Sequence, residues 1–552
     1  MTERARRWLA HDPDPATRAE LAAVLAAAQA GAAAAVADLE ARFAGPLTFG
    51  TAGLRGIVGA GESRMNVAVV SRVTAGLARY LRDVVGADAR VVVGADARQG
   101  SAEFATATLE VLSGAGVTAL ALPPQLPTPV TAYAVRALDA DAGIMITASH
   151  NPPADNGYKV YLGGRAVTAG RGVQIVPPAD AEIAAHIDAA PPADALARTV
   201  EQVEYLGSGC VDAYVRRMAG HRRRTEPSPV RVVLTALHGV GGELARRVFA
   251  AAGVCDVHVV AEQFAPDPAF PTVAFPNPEE PGALDLSVAL AEKVDADVVI
   301  ALDPDADRCA VAVPGAGGWR QLTGDEVGAL LGEQAATDSG RSGDALVCSI
   351  VSSGLLVRIA QAHGLRGCTT LTGFKWIART PGIRYGYEEA IGYCTDPVAV
   401  ADKDGIGAAV RVVTMIEELR AAGRTVDDEL DRLARLHGLH ATAQLGFRVG
   451  EVSAIADVMA RLRADPPSAF AGSPVVAVDD LAAGGEELPP TDALRYRTAA
   501  GDRVIIRPSG TEPKLKCYLE VVLPCTDGDV PHAAAAARLT EIKADVTVAL
   551  GL

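Results

Sequence analysis

The stretch Ile144-Met145-Ile146-Thr147-Ala148-Ser149-His150-Asn151-Pro152 sets a serine in a tight polar turn, where a buried strand would surface. Similar apolar runs occur at Val91-Val92-Val93, Val230 to Leu234, Val298 to Leu302 and Ala345 to Val351, with helical patterns between them. Strands alternating with helices indicate α/β domains with largely parallel sheets. Ligand sites in such sheets lie outside the carboxyl ends of the strands. Ser, Asn and Pro are also ordinary turn residues. A surface turn that uses its hydroxyl only locally is therefore the plain alternative for Ser149.

Three further loops bear on that choice. Asp303-Pro304-Asp305-Ala306-Asp307-Arg308 directly follows the run Val298 to Leu302. Three carboxylates at alternate positions repel one another, and a hard divalent cation such as Mg²⁺ would supply the counter-charge. The spacing also opens an EF-hand, but Arg308 stands at the sixth position and Pro314 at the twelfth, which removes that reading. Arg507-Pro508-Ser509-Gly510-Thr511-Glu512-Pro513 follows Val504-Ile505-Ile506. It offers a guanidinium fork, two hydroxyls and a glycine that lets backbone N–H groups approach a phosphate; a Gly-Pro turn between strands is the alternative. Gly386-Tyr387-Glu388-Glu389-Ala390-Ile391-Gly392 places paired carboxylates between glycines, suited to vicinal sugar hydroxyls or simply to a solvated loop. Together these loops point to Ser149 as a covalent phosphate carrier. Each supplies something a phosphoserine would need: a cation, a sugar clamp and a second phosphate grip.

Composition narrows the class. The length of 552 residues suggests about three to five domains. Apolar residues make up 49% of the chain, in short runs that never reach the roughly 18 residues of a membrane span. The N-terminus meets Asp12 and Asp14 before any apolar core forms, unlike a secretory signal. Eight scattered cysteines without a CxxC pair fit reduced thiols in a cytoplasmic enzyme. The formal charge of −16 argues against non-specific nucleic-acid binding but not against a small anionic substrate. Residues 20–43 read as a helix with a weak point at Gly31. Pro177 to Asp194 reads as a surface excursion, and Lys514 to Val522 alternates like a half-exposed strand of a smaller α+β domain.

In this order, the four loops resemble the α-D-phosphohexomutase superfamily, over about Phe49 to Val522. The wording is closer to the phosphoglucomutase-2/phosphopentomutase branch: Phe49-Gly50-Thr51-Ala52-Gly53-Leu54-Arg55-Gly56, Ser63-Arg64-Met65-Asn66 and Thr372-Gly373-Phe374-Lys375-Trp376-Ile377. The resemblance implies four domains around a central cleft. Three would be α/β with mixed parallel sheets (1–215 with an N-terminal arm, 216–322, 323–440), and the fourth a smaller α+β phosphate-binding domain (441–552). It implies a phosphoserine at Ser149 and Mg²⁺ held by Asp303, Asp305 and Asp307 beside it. Lys159, His150, Arg55 and Arg308 would serve the transfer. Thr372, Gly373, Lys375, Glu388, Glu389 and Lys403 would meet the sugar phosphate, with Arg507, Ser509, Gly510 and Thr511 on the phosphate not being transferred.

The implied activity is a phosphoglucomutase-type transfer between C1 and the terminal carbon of an aldose phosphate. A sugar 1,6-bisphosphate, or a pentose 1,5-bisphosphate, would prime it. Phosphopentomutase and glucose 1,6-bisphosphate synthase activities are the alternatives. Many hexomutases carry Glu-x-Ser in the sugar loop, whereas this chain has Glu388-Glu389-Ala390, which keeps pentose phosphates open. A non-catalytic binder fits less well, because Ser149, the three aspartates and Arg507 are all present; a phosphohydrolase would leave the serine loop unexplained. The expected partners are small sugar phosphates, without nucleic acid or membrane, for a monomer or weak homo-oligomer.

Overall fold

Apolar runs of four to six residues can be buried on both faces only in the middle of covered sheets, and of the four sheets among the described residues three are centred on such strands: Ala142–Ile146, Val232–Thr235 with Val298–Leu302, and Ala345–Ser349. The computed structural model describes residues 1–338, 343–448, 452–485, 488–509, 514–526 and 528–551. They form two compact units: residues 1–322 with 391–417, and residues 323–390 with 418–552.

The first unit opens with three helices, Thr2–His11, Pro15–Gln29 and Ala33–Arg42. The helix expected over 20–43 is thus two helices, broken at Gly31, whose φ of 86° suits glycine. Leu21, Leu25, Leu39 and Phe43 form their common core, with Trp8 packed against it. A seven-stranded sheet follows, in the order Leu54–Ile57, Asp155–Leu162, Ala142–Ile146, Arg90–Ala95, Thr118–Ala121, Val203–Tyr205, with Val173–Gln174 beside Asp155–Leu162. Strands Ala142–Ile146, Arg90–Ala95 and Thr118–Ala121 are parallel, while Asp155–Leu162 returns antiparallel and pairs Lys159 with Met145. The helix Val67–Val84 covers this sheet, and its first turn is capped by Asn66, whose Oδ1 accepts from the Val69 N–H.

The stretch Pro177 to Asp194 is not merely a surface excursion. It contains the helix Ala179–Asp188, which buries Ile183 in the core of this sheet, a contact too local for periodicity to reveal. The second sheet runs Gly318–Gln321, Cys309–Gly315, Val298–Leu302, Val232–Thr235, Val257–Val259, again parallel in the middle with an antiparallel return after Val298–Leu302. In both sheets a loop rich in functional residue types leaves the carboxyl end of a wholly buried strand and the chain turns straight back.

In the second unit, the parallel strands Arg366–Thr370, Ala345–Ser349 and Ile383–Glu388 lie beside the helices Gly324–Thr337 and Leu355–Ala362. Thr323 and Glu326 cap the first of these helices reciprocally. An antiparallel six-stranded sheet follows, in the order Leu439–Arg448, Lys514–Leu523, Arg503–Pro508, Leu494–Thr498, Ser473–Asp480, Ala469–Phe470. The helices Val452–Ala464 and His532–Leu550 bury Met459, Leu462, Ile542 and Val546 against one face. Lys514 to Val522, expected to be half exposed, lies in the strand Lys514–Leu523, which is buried along most of its length. Its Cys517, Leu519 and Val521 face those helices, and Tyr518 packs on the other side with Ile350, Val351 and Ile505.

Among the described residues no helix is long and apolar enough to cross a membrane. Ile542 is fully buried in the last core, so Ile542→Ala is expected to lower stability by about 2–5 kcal/mol in urea unfolding.

Candidate active site

Ser149 sits one turn beyond the strand Ala142–Ile146, with only 1% of its surface exposed. Its φ of 54° lies in the left-handed region, which a side chain adopts only when the surroundings enforce it. Two devices enforce it here. The Ser149 N–H donates to Thr147 Oγ1 at 2.9 Å. The Arg98 guanidinium donates to the carbonyl oxygens of Ser149 (2.7 Å), Asn151 (2.6 Å), Pro152 (2.9 Å) and Asp155 (3.1 Å), and lies over the Phe270 ring at 5.0 Å. Arg98 therefore holds the whole loop by its backbone.

Asp303, Asp305 and Asp307 leave the strand Val298–Leu302 in a turn closed by the Ala306 N–H on the Asp303 carbonyl, with Ala306 at φ 52°. All three are fully buried, and one carboxylate oxygen of each lies within 4.8 Å of the others. The Ser149 hydroxyl donates to Asp303 Oδ2 at 2.9 Å. Lys159 Nζ reaches Asp305 Oδ2 at 2.7 Å and Asp307 Oδ2 at 2.9 Å, and Lys403 Nζ reaches Asp307 Oδ2 at 2.6 Å. Thr128 Oγ1 donates to Asp305 Oδ2 at 2.6 Å. Gly405 backs the turn so closely that a Cβ there would stand 2.3 Å from the Arg308 carbonyl oxygen.

The charges order themselves around burial. Burial, reinforced by Asp305 and Asp307, pushes the Asp303 carboxyl well above the ordinary range. Burial acts the same way on Asp305 and Asp307, but the neighbouring lysines outweigh it and hold both below that range. For Lys159 and Lys403, burial favours the neutral amine, yet the facing carboxylates win and both stay ammonium. His150 Nδ1 lies 3.3 Å from Ser149 Oγ; burial, with Arg308 and Arg55 nearby, holds the imidazole neutral. Arg55 donates to Asn151 Oδ1 at 3.2 Å, and Arg308 Nε is 3.8 Å from Asp307 Oδ1.

The triad suits a hard cation. It offers oxygen donors only, and the buried Asp305 Oδ1 and Asp307 Oδ1 accept no hydrogen bond among the described residues.

The second unit gathers its own predicted residues. Glu388 Oε1 accepts from the Gly373 N–H at 2.6 Å, tying the two loops together. Arg507 donates to Thr372 Oγ1 at 2.8 Å. Lys375 stands on the short helix Phe374–Ile377, and the Ser509 N–H donates to the Lys514 carbonyl at 2.7 Å. Glu389 turns inward: its Oε2 accepts from Ser349 and Ser352 hydroxyls, each at 3.0 Å, and burial followed by Glu388 raises its carboxyl to about 7. Gly510 and Thr511 lie outside the described residues.

Models of the phosphoglucomutase/phosphomannomutase family match the chain in order. Its α/β/α domains I, II and III match residues 46–193, 212–317 and 323–436, and its C-terminal domain matches residues 448–524. The chain belongs to this family. A Haemophilus influenzae protein named "Probable phosphomannomutase" is 45% identical over 83% of this chain and 93% of its own length. A Saccharomyces cerevisiae phosphoribomutase is 35% identical over 93% of this chain and 91% of its own. The crystal structure of a Burkholderia thailandensis phosphoglucomutase/phosphomannomutase family protein shares the fold, with a TM-score of 0.68 at 22% identity over 90% of this chain and 96% of that one. Like its relatives, this member is a phosphomutase, an intramolecular phosphotransferase of the phosphohexomutase type.

Sequence reasoning passed over Arg98, Thr128 and Gly405. Asp96-Ala97-Arg98 directly follows the buried strand Arg90–Ala95, the same signal that singled out Ser149. Thr128, between two prolines, and Gly405, inside an ordinary helix start, carry no comparable mark.

Arg98→Lys cannot serve four carbonyls with one planar fork. It is expected to lower kcat by about tenfold or more with little change in KM, in steady-state assays paired with thermal melts. Glu389 has a folded pKa above its unfolded value. Its contribution to stability is complete below about pH 4.5 and is lost as pH rises through about 7. Wild type is therefore expected to lose up to about 3 kcal/mol relative to Glu389→Gln across that window, read from urea unfolding at several pH values.

Proposed function

We propose that the chain moves a phosphoryl group between C1 and the terminal carbon of an aldose phosphate, glucose 1-phosphate to glucose 6-phosphate, with Ser149 as the covalent carrier. The observation that carries this is the Ser149 hydroxyl, buried and 2.9 Å from Asp303 Oδ2 within a triad that can hold a cation. In the first transfer, the sugar hydroxyl oxygen bonds to the phosphorus of phosphoserine as the Ser149 Oγ–phosphorus bond breaks. The product of that step is a sugar bisphosphate. In the second transfer, Ser149 Oγ takes back the other phosphoryl group, which leaves the isomeric monophosphate.

Asp303, Asp305 and Asp307 would hold Mg²⁺, which when bound neutralises phosphoserine charge and polarises the phosphorus. Arg308 and Arg55 supply fixed positive charge beside the serine loop, where charge spreads over the transferring oxygens. His150 and Lys159 are the groups placed to exchange the hydroxyl proton. Glu388 is assigned to sugar hydroxyls. Arg507, with Ser509, Gly510 and Thr511, is assigned to the phosphate not in flight, because a guanidinium fork grips either end of a bisphosphate equally well. A free sugar 1,6-bisphosphate would restore phosphate to an empty Ser149.

A second reading, pentose phosphates as substrates, is favoured by Ala390 standing where many hexomutases carry a serine. The panel that separates them compares kcat/KM for glucose, mannose and ribose 1-phosphates with Mg²⁺ and priming bisphosphate. The glucose reading predicts glucose 1-phosphate ahead by about tenfold or more; a lead of that size for ribose 1-phosphate would replace it with the pentose reading. Ser149→Ala is expected to remove turnover by at least about a thousandfold on every substrate, and full activity in that variant would overturn the carrier role. Asp305→Asn is expected to raise the Mg²⁺ requirement by about 10–100-fold, read from activity against free Mg²⁺.

A further inference from the structure

The helices Thr2–His11 and Val67–Val84 border a cavity of about 330 Å³ lined by none of the residues assigned above. That volume lies within the range of small-molecule sites. Its aromatic wall is Trp8 and Phe43, set edge to face with ring centres 6.3 Å apart. Arg4 and His11 also line it, but each is already matched to a carboxylate: Arg4 pairs with Glu62, and His11 lies 3.1 Å from Asp194.

Arg7 and Arg72 differ. Among the described residues neither forms an ion pair, in a chain whose formal charge is −16. Among the described residues Arg72 donates only to the carbonyl oxygens of Ile187 (3.2 Å) and Ala190 (3.4 Å), which leave its charge uncompensated, and its buried Nε has no hydrogen-bond partner there. Two guanidinium groups without counter-ions beside an aromatic wall call for an anion attached to a flat apolar ring. A bare sugar phosphate suits the lining less well. Trp8 Nε1 already donates to Asp12, and Phe43 and Ala68 offer nothing to a ring of hydroxyls.

We propose that this cavity binds a nucleotide, with its base stacked on Trp8 and its phosphates held by Arg7 and Arg72. The ligand would join the N-terminal helix to the first α/β domain and stabilise that junction by mass action. The proposal does not depend on which sugar the enzyme takes.

Trp8 is its own reporter. The full-length protein is titrated with ADP, and separately with adenosine and with inorganic phosphate, while tryptophan fluorescence is recorded. ADP is expected to give a saturable change, with adenosine and phosphate each weaker by about tenfold or more. The exposed Arg7 can be changed with little risk to folding, and Arg7→Ala is expected to weaken ADP about tenfold while mutase turnover persists. Arg72→Met should weaken it further. No saturable response to ADP overturns the proposal. So does ADP binding that neither arginine variant weakens. ADP displaced by glucose 1,6-bisphosphate would place it at the catalytic loops instead, and also overturns the proposal.

Discussion

Asp303, Asp305 and Asp307 crowd three carboxylates into a space with no solvent exposure, and the first unit is organised around the cost of doing so. Desolvated like charges are among the least favourable arrangements a fold can hold. The relief comes from three directions. Lys159 arrives on the antiparallel return of the first sheet, Lys403 from the segment before the helix Gly405–Ala421, and Thr128 from the start of the helix Thr128–Ala137. Removing one partner from such a buried set typically costs about 3–5 kcal/mol, so the counter-charges are structural as well as chemical. The same crowding leaves Asp305 Oδ1 and Asp307 Oδ1 without a hydrogen bond among the described residues, the donors a cation would take.

The serine loop answers a second constraint. Ser149 and Ala306 both adopt left-handed backbone without being glycine, one in each of the two loops that meet at Asp303. Such conformations cost about 1–3 kcal/mol each and persist only where the surroundings over-determine them. Arg98 does this for the serine loop through four backbone carbonyls, which leaves the side chains of Ser149 and His150 free of the task. The carrier role proposed for Ser149 would need such a rigid mount, since phosphoryl transfer depends on alignment more than on covalent novelty.

The α/β class was legible because wholly buried strands must read as unbroken apolar runs, as at Ile144 to Ile146 and Val298 to Leu302. The loops after them were legible because Ser149 and the aspartate triad are costly residue types at the end of such a run. Lys514 to Val522 misled for a related reason: its polar positions suggested solvent, whereas the last sheet has packing on both faces. The helix Ala179–Asp188 was hidden because one buried residue, Ile183, anchors it. Arg98 and Gly405 act through backbone atoms, and a bond to a carbonyl oxygen leaves no trace in the partner's side chain. Sugar identity is harder still, because the proposed contacts of Glu388 and Ala390 would read a hydroxyl pattern that the rest of the fold does not constrain.

In the proposed function Ser149 carries the phosphoryl group. Intact mass of the full-length protein after incubation with glucose 1,6-bisphosphate and Mg²⁺ tests it most directly. A gain of one phosphoryl group is expected, mapped to Ser149 by peptide fragmentation and discharged on adding sugar monophosphate. A protein that turns over substrate while its mass never changes, or that carries the phosphate on another residue, would contradict it.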